Sequence, residues 1–201
     1  MSNSTTENLN PENPDSSTPA SSNAAEEVIA IISLGSNLPS QFGSPEDTIL
    51  EAVRRLGMLA GDESAGNLQC SSLYLTEPID CEEGTPDFVN AAVALKVDAR
   101  LSPRDFLSKL LDIEVEFGRE LDTMRAQGKN LARSLDLDLI CFGNQELNEE
   151  GLILPHPRAL QRRFVLEPIA EIYPHLLLPG QQHSMSYLLE NLTSAEAVRK
   201  L

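Results

Sequence analysis

The chain has 201 residues, of which 41% are apolar, and its 15 Lys+Arg against 31 Asp+Glu give a formal net charge of −16. That balance predicts one globular domain and opposes a broad basic face for nucleic acid or an anionic membrane surface. No run approaches the roughly 18 apolar residues that span a bilayer, and the first basic residue is Arg54, so no positively flanked export signal is expected and the protein is read as cytoplasmic.

Residues 1–25 are almost entirely Ser, Asn, Thr, Pro, Ala and Glu, with Leu9 the only large apolar side chain after Met1. They cannot bury enough surface to offset ordering, so a disordered acidic tail is expected, followed by a single domain over 26–201. Val28 to Leu34 is a short apolar run ending at Gly35-Ser36-Asn37, which reads as a buried strand entering a turn. Ser44-Pro45-Glu46-Asp47 supplies an N-cap, a proline at the first helical position and an acid three residues after the cap. Ile49, Val53, Leu56 and Leu59/Ala60 then repeat at helical spacing. Residues 67–75 and 88–97 read as strands, joined by a loop with Pro78, Gly84 and Pro86. Ser102-Pro103-Arg104-Asp105 repeats the capping logic for a second helix, which Gly118 stops. Ser134 to Phe142 alternates as a final strand, completing a ferredoxin-like βαββαβ order and an α+β fold. The remaining residues, 152–201, read as a short strand pair and a terminal helix around Tyr187 to Leu192.

Four segments carry candidate chemistry. In Arg133-Ser134-Leu135-Asp136-Leu137-Asp138-Leu139, strand periodicity puts the leucines on one face and both carboxylates on the other. Carboxylates this close repel, and a divalent cation relieves that repulsion through the oxygen ligands Mg²⁺ prefers. A strand with one solvated face is the plain alternative. Seven of the fifteen basic residues fall between 119 and 163, from Gly118-Arg119 through Arg125, Lys129 and Arg133 to Arg158, Arg162 and Arg163, a focus suited to a small anionic ligand. In Leu154-Pro155-His156-Pro157-Arg158 the prolines hold His156 in extended chain, where it is either a structural or a ligand-facing residue. Phe88 and Asn90, at i and i+2, share a strand face and could stack on a flat heterocycle and hydrogen-bond its edge, or Phe88 is plain core. Cys70, Cys81 and Cys141 show no CxxC or Cys/His zinc spacing, which fits a reducing compartment.

In order, Leu34-Gly35-Ser36-Asn37-Leu38, Tyr74-x-Thr76-x-Pro78, Asp87-Phe88-Val89-Asn90-Ala91-Ala92, Ile113-Glu114, Gly118-Arg119, Arg133-x-x-Asp136-Leu137-Asp138, Leu154-Pro155-His156-Pro157-Arg158 and Arg162-x-Phe164-Val165-Leu166-x-Pro168 resemble the 6-hydroxymethyl-7,8-dihydropterin pyrophosphokinases of folate biosynthesis. The resemblance covers residues 28 to 180. It implies a ferredoxin-like enzyme that uses ATP and two Mg²⁺ ions to transfer diphosphate to the pterin hydroxymethyl oxygen, releasing AMP; a monomer acting on small molecules, without nucleic acid or membrane as partner, is expected. It also implies residue roles: Asp136 and Asp138 for the metal, Arg119 and Arg133 for the transferring phosphates, and Glu114, Leu139, His156 and Arg162 for ATP, to which Lys129 is added as an expected ATP contact from the loop's own residues. Thr76, Ile79, Phe88, Asn90 and Phe164 fall at pterin positions, with the ring between Phe88 and Phe164.

The chain departs from the family at Leu121 and Gly151, where arginines are usual, and at Asn130-Leu131-Ala132, where Trp-Gly-Pro is usual. A pterin- or nucleotide-binding module with weak or no turnover is therefore the alternative function. The loop from Glu120 to Ala132 is expected to act as a lid, with Lys129 or Arg125 supplying the cation that Leu121 lacks.

Overall fold

The computed structural model describes residues 26–60, 66–78, 81–119, 132–194 and 196–201. The expected tail, Ile79, and all but Ala132 of the expected lid, including Arg125 and Lys129, lie outside the described residues.

β1 (Glu27–Ser36) runs through the middle of an antiparallel sheet. It pairs with β4 (Phe88–Asp98) from Glu27↔Asp98 to Ser36↔Val89, and on its other side with β5 (Asp136–Phe142). β2 (Leu68–Cys70) and β3 (Tyr74–Thr76) both pair with the far edge of β4. With α1 (Pro45–Leu59) and α2 (Pro103–Glu116), this is the expected ferredoxin-like core, its sheet ordered β5-β1-β4-β3.

The caps act as the sequence implies. Ser44 and Asp47 form a reciprocal box at the start of α1, and the Ser102 hydroxyl accepts from the Asp105 N–H at the start of α2. Gly118, at φ +96°, ends α2 in a backbone conformation that side chains with a Cβ rarely adopt.

Strand alternation divides the interior into two layers. One face of the sheet, with Ile32, Leu34, Val93, Leu95, Leu137 and Leu139, packs on α1 and α2, where Phe106 and Phe142 meet at 5.6 Å between ring centroids. Burying a side chain of this size contributes roughly 1.5–3 kcal/mol. The other face, with Ile31, Ala92, Ala94 and Ile140, is covered by α3 (Arg163–Ile172) and α4 (Met185–Asn191) through Val165, Leu166, Ile169 and Met185. The residues of that face toward the end of β1 are small or polar: Ser33, Gly35, Asn90, Asp136 and Asp138. No apolar helix face could pack on them, and there the sheet opens into a cleft.

The structure corrects two expectations. The strand predicted over 67–75 is broken at Ser71, whose hydroxyl takes over a ladder hydrogen bond from the Ala92 N–H (2.9 Å), while the Ser72 N–H turns to Glu171. The strand pair expected after residue 152 lies earlier, as β6 (Leu147–Glu149) and β7 (Leu152–Leu154). Residues 163–172 form an unforeseen helix and the chain ends in β8 (Val198–Lys200), paired with β3. Pro168 argues against a helix there; as the sixth of its ten residues it removes one interior N–H from the helix. Among the described residues no helix is long and apolar enough to cross a membrane.

Candidate active site

The cleft, with a volume of about 310 Å³, is floored by β1, β3, β4 and β5 and walled by the segment Arg158–Phe164 and by Glu196. Register explains why its floor residues meet. Gly35 lies opposite Asn90 on one side and Asp136 on the other, Ser33 lies opposite Asp138, and Thr76 lies opposite Phe88. An aromatic and amide half of the cleft thus adjoins an acidic and basic half.

In the first half Asn90, 3% exposed, donates from Nδ2 to Thr76 Oγ1 at 2.8 Å. Its Oδ1 stands 3.3 Å from where a Cβ on Gly35 would be, so glycine lets the amide lie close against β1. Phe88 and Phe164 both line this half.

In the second half Asp136 and Asp138 project from alternate positions of β5. The Asp136 carboxylate receives Arg133 at 2.7 Å and Arg119 at 3.4 Å. Burial, and then the Asp136 charge, push the Asp138 carboxyl above its usual range, against the pull of Arg162, Arg133 and Arg158. Arg158 and Arg162 line the cleft without an ion-pair partner among the described residues. Cations held there without a direct ion pair make the cleft receptive to an anion.

Arg119 and Arg133 are held from behind. Glu114 is fully buried on α2, with one oxygen accepting from the Leu137 N–H at 2.7 Å and the other paired with the Arg119 guanidinium. Burial and the nearby Asp136 raise the Glu114 carboxyl to about 7, although Arg119 and the Leu137 N–H favour its charge. Asn37 clamps the Arg133 backbone, accepting from its N–H at 2.7 Å and donating its own N–H to its carbonyl at 3.1 Å.

Of the residues singled out from sequence, Thr76, Phe88, Asn90, Arg133, Asp136, Asp138, Arg162 and Phe164 therefore share one cleft, with Arg119 reaching Asp136. Glu114 supports Arg119 rather than facing the cleft. The alternation that exposes Asp138 sends the Leu139 side chain into the core on the opposite face. His156 does not line the cleft. Its N–H donates to the Ile140 carbonyl at 2.8 Å, beside the register shift between β1 and β5, and its Nδ1 is buried without a hydrogen-bond partner. Burial, then Arg162 and Arg158, hold its imidazole below the usual range and hence neutral at pH 7. Lys129 and Ile79 lie outside the described residues.

Sequence reasoning gave no role to Ser33, Glu77, Cys81, Gln161 or Glu196, which also line the cleft. Ser33 could have been found, since it shares strand parity with Gly35. Glu196 could not, because its place depends on the fold of the last ten residues.

Among the described residues no three His, Cys, Asp or Glu side chains are grouped to hold a metal by themselves. A repelling carboxylate pair open to a cleft nonetheless fits a hard divalent cation whose other ligands are phosphate oxygens and water.

The fold is an α+β ferredoxin-like one, and its cleft sets an aromatic and amide half beside an acidic and basic half. A family model described as 7,8-dihydro-6-hydroxymethylpterin-pyrophosphokinase matches residues 31–174. The 2-amino-4-hydroxy-6-hydroxymethyldihydropteridine pyrophosphokinase of Synechocystis is 36% identical over 163 residues, covering 81% of this chain and 75% of the relative. The Haemophilus influenzae protein of the same name is 34% identical over 155 residues, covering 77% and 88%. A crystallised HPPK-DHPS in complex with substrates aligns with a TM-score of 0.59 at 14% identity, over 82% of this chain and 43% of that one, a likeness that bears on the fold alone. The chain belongs to the 7,8-dihydro-6-hydroxymethylpterin-pyrophosphokinase family.

Proposed function

We propose that this chain, as a monomeric cytoplasmic enzyme with one domain over 26–201, transfers diphosphate from ATP to the hydroxymethyl oxygen of 6-hydroxymethyl-7,8-dihydropterin, in folate biosynthesis, and that it needs Mg²⁺ to do so. The observation that carries this reading is the continuity of the cleft: the heterocycle-reading Asn90 and the carboxylates Asp136 and Asp138 line one cavity. Its acidic balance, −16 overall, argues against nucleic acid as a partner. Nothing in the cleft favours a binding module without turnover.

In this reading Asn90 reads the pterin edge while Phe88 and Phe164 cover its faces, which directs the hydroxymethyl group toward β5. The hydroxymethyl oxygen forms a bond to the β-phosphorus of ATP, the bond from that phosphorus to the α–β bridging oxygen breaks, and AMP leaves. The hydroxyl proton passes to solvent, because among the described residues no side chain in the cleft is set as an evident base. Asp136 and Asp138 would hold Mg²⁺, as two ions, and the metal would neutralise phosphate charge. Glu114 holds the Arg119 guanidinium and Asn37 the Arg133 backbone, and both guanidiniums, which reach Asp136, would stabilise the charge that develops on the phosphates. Arg162 and Arg158 would bind the remaining phosphates.

Asp136→Asn and Asp138→Asn should each lower turnover about 100-fold or more, equivalent to about 2.7 kcal/mol. Chelation by EDTA should stop the wild type and added Mg²⁺ should restore it. Steady-state assays at saturating ATP check both; two asparagine variants with wild-type turnover would remove the metal from these residues.

A further inference from the structure

Residues 196–201 connect the two walls of the aromatic half of the cleft. On one side β8 pairs with β3 through Thr76↔Val198 and Tyr74↔Lys200, and the Leu201 N–H donates to the Leu73 carbonyl at 2.9 Å. On the other, the segment grips α3 at both ends. Glu196 Oε2 accepts from the Arg163 N–H at 2.6 Å and from the Phe164 N–H at 3.4 Å, and Lys200 Nζ reaches Glu171 at 2.7 Å.

α3 has no cap of its own. Its N-cap residue, Arg162, makes no side-chain cap hydrogen bond, so the first N–H groups of the helix would be left without an acceptor. Glu196 supplies that acceptor from 32 residues further along the chain. A carboxylate at a helix start is also favoured by the helix dipole. Phe164, one of the two residues whose N–H it receives, lines the same cleft as Phe88 and Asn90, and so does Glu196 itself.

We propose that Glu196 is a positioning residue for the pterin: it fixes the start of α3, and with it the Phe164 ring, at the distance from Thr76 and Asn90 that the heterocycle needs. The inference rests on the assignment of the pterin to the space between Phe88 and Phe164. Because the action is through hydrogen-bond acceptance, an amide oxygen can replace the carboxylate. A segment that only stabilised the fold would not distinguish one substrate from the other.

Steady-state kinetics of the full chain test this with Glu196→Ala, Glu196→Gln and Phe164→Ala beside the wild type. Glu196→Ala should raise the KM for the hydroxymethyl pterin about fivefold or more with the KM for ATP within about twofold, and Glu196→Gln should recover most of the loss. Thermal unfolding of each variant shows that the folded population is being assayed. If Phe164→Ala raises the pterin KM while Glu196→Ala does not, Glu196 has no positioning role and the pocket stands. If Glu196→Gln fails as badly as Glu196→Ala, acceptance from the helix start is not the cause. If Phe164→Ala leaves the pterin KM unchanged, the pocket assignment fails and the inference falls with it.

Discussion

Asn90 and Gly35 act as a pair. The amide is pinned to Thr76 through Nδ2 while its Oδ1 rests over the bare Cα of Gly35, so one side chain has its orientation fixed from two strands. Asn90→Ala should weaken pterin binding by about 1 to 3 kcal/mol, because polar groups on the heterocycle edge would be buried without partners. Gly35→Ala should act in the same direction by about 1 kcal/mol, since a new Cβ must push the amide aside. Calorimetry with the hydroxymethyl pterin checks both, and unchanged binding in Asn90→Ala would move the pocket elsewhere. At this scale the sequence was informative where strand parity carries the information: Asp136 with Asp138, and Phe88 with Asn90. It was silent on Glu196 and on the supporting place of Glu114, because both depend on a helix end meeting a distant segment.

α3 is the element whose placement matters most to the cleft, and Glu171 in its last turn ties it to the sheet edge. The carboxylate accepts from the Ser72 N–H, the Ser72 hydroxyl, the Tyr74 hydroxyl and Lys200, all at 2.7–2.9 Å. Burial opposes its charge, but the hydrogen bonds from Lys200, Ser72 and Tyr74 outweigh it and hold the carboxyl down to about 2. The folded value lies below the ordinary value of 4.5, so this stabilisation is complete above about pH 4.5 and is lost as pH falls toward 2. Glu171→Gln should cost about 1 to 3 kcal/mol at pH 7, with the gap to wild type closing below about pH 3. Urea unfolding across that range checks it; a gap independent of pH would show that the carboxylate charge is not what binds α3. The elements themselves were largely legible, since capping residues and alternation mark both core helices and the long strands. α3 was not, because Pro168 masks the helical spacing of Val165, Leu166 and Ile169. The broken second strand was not either, because the Ser71 hydroxyl substitutes for backbone pairing in a way no periodicity reveals.

At the scale of the whole molecule, one face of the sheet is sealed by α1 and α2, while the other is half covered by α3 and α4 and half open. The open half collects four arginines and two aspartates next to an aromatic and amide pocket, in a chain that is otherwise strongly acidic. The arginine usual at the position of Gly151 could not be accommodated without strain, for that residue turns the β6–β7 hairpin at φ +76°. Arg158, directed into the cleft, offers positive charge in its place. The central claim is that both halves of the cleft serve one reaction, and the nucleotide product tests it most directly. The full chain is incubated with ATP and Mg²⁺, with and without 6-hydroxymethyl-7,8-dihydropterin, and the nucleotides are separated by chromatography. The account predicts AMP in equal amount to the diphosphorylated pterin, formed only when the pterin is present; ADP as the product, or no pterin-dependent conversion of ATP, would contradict it.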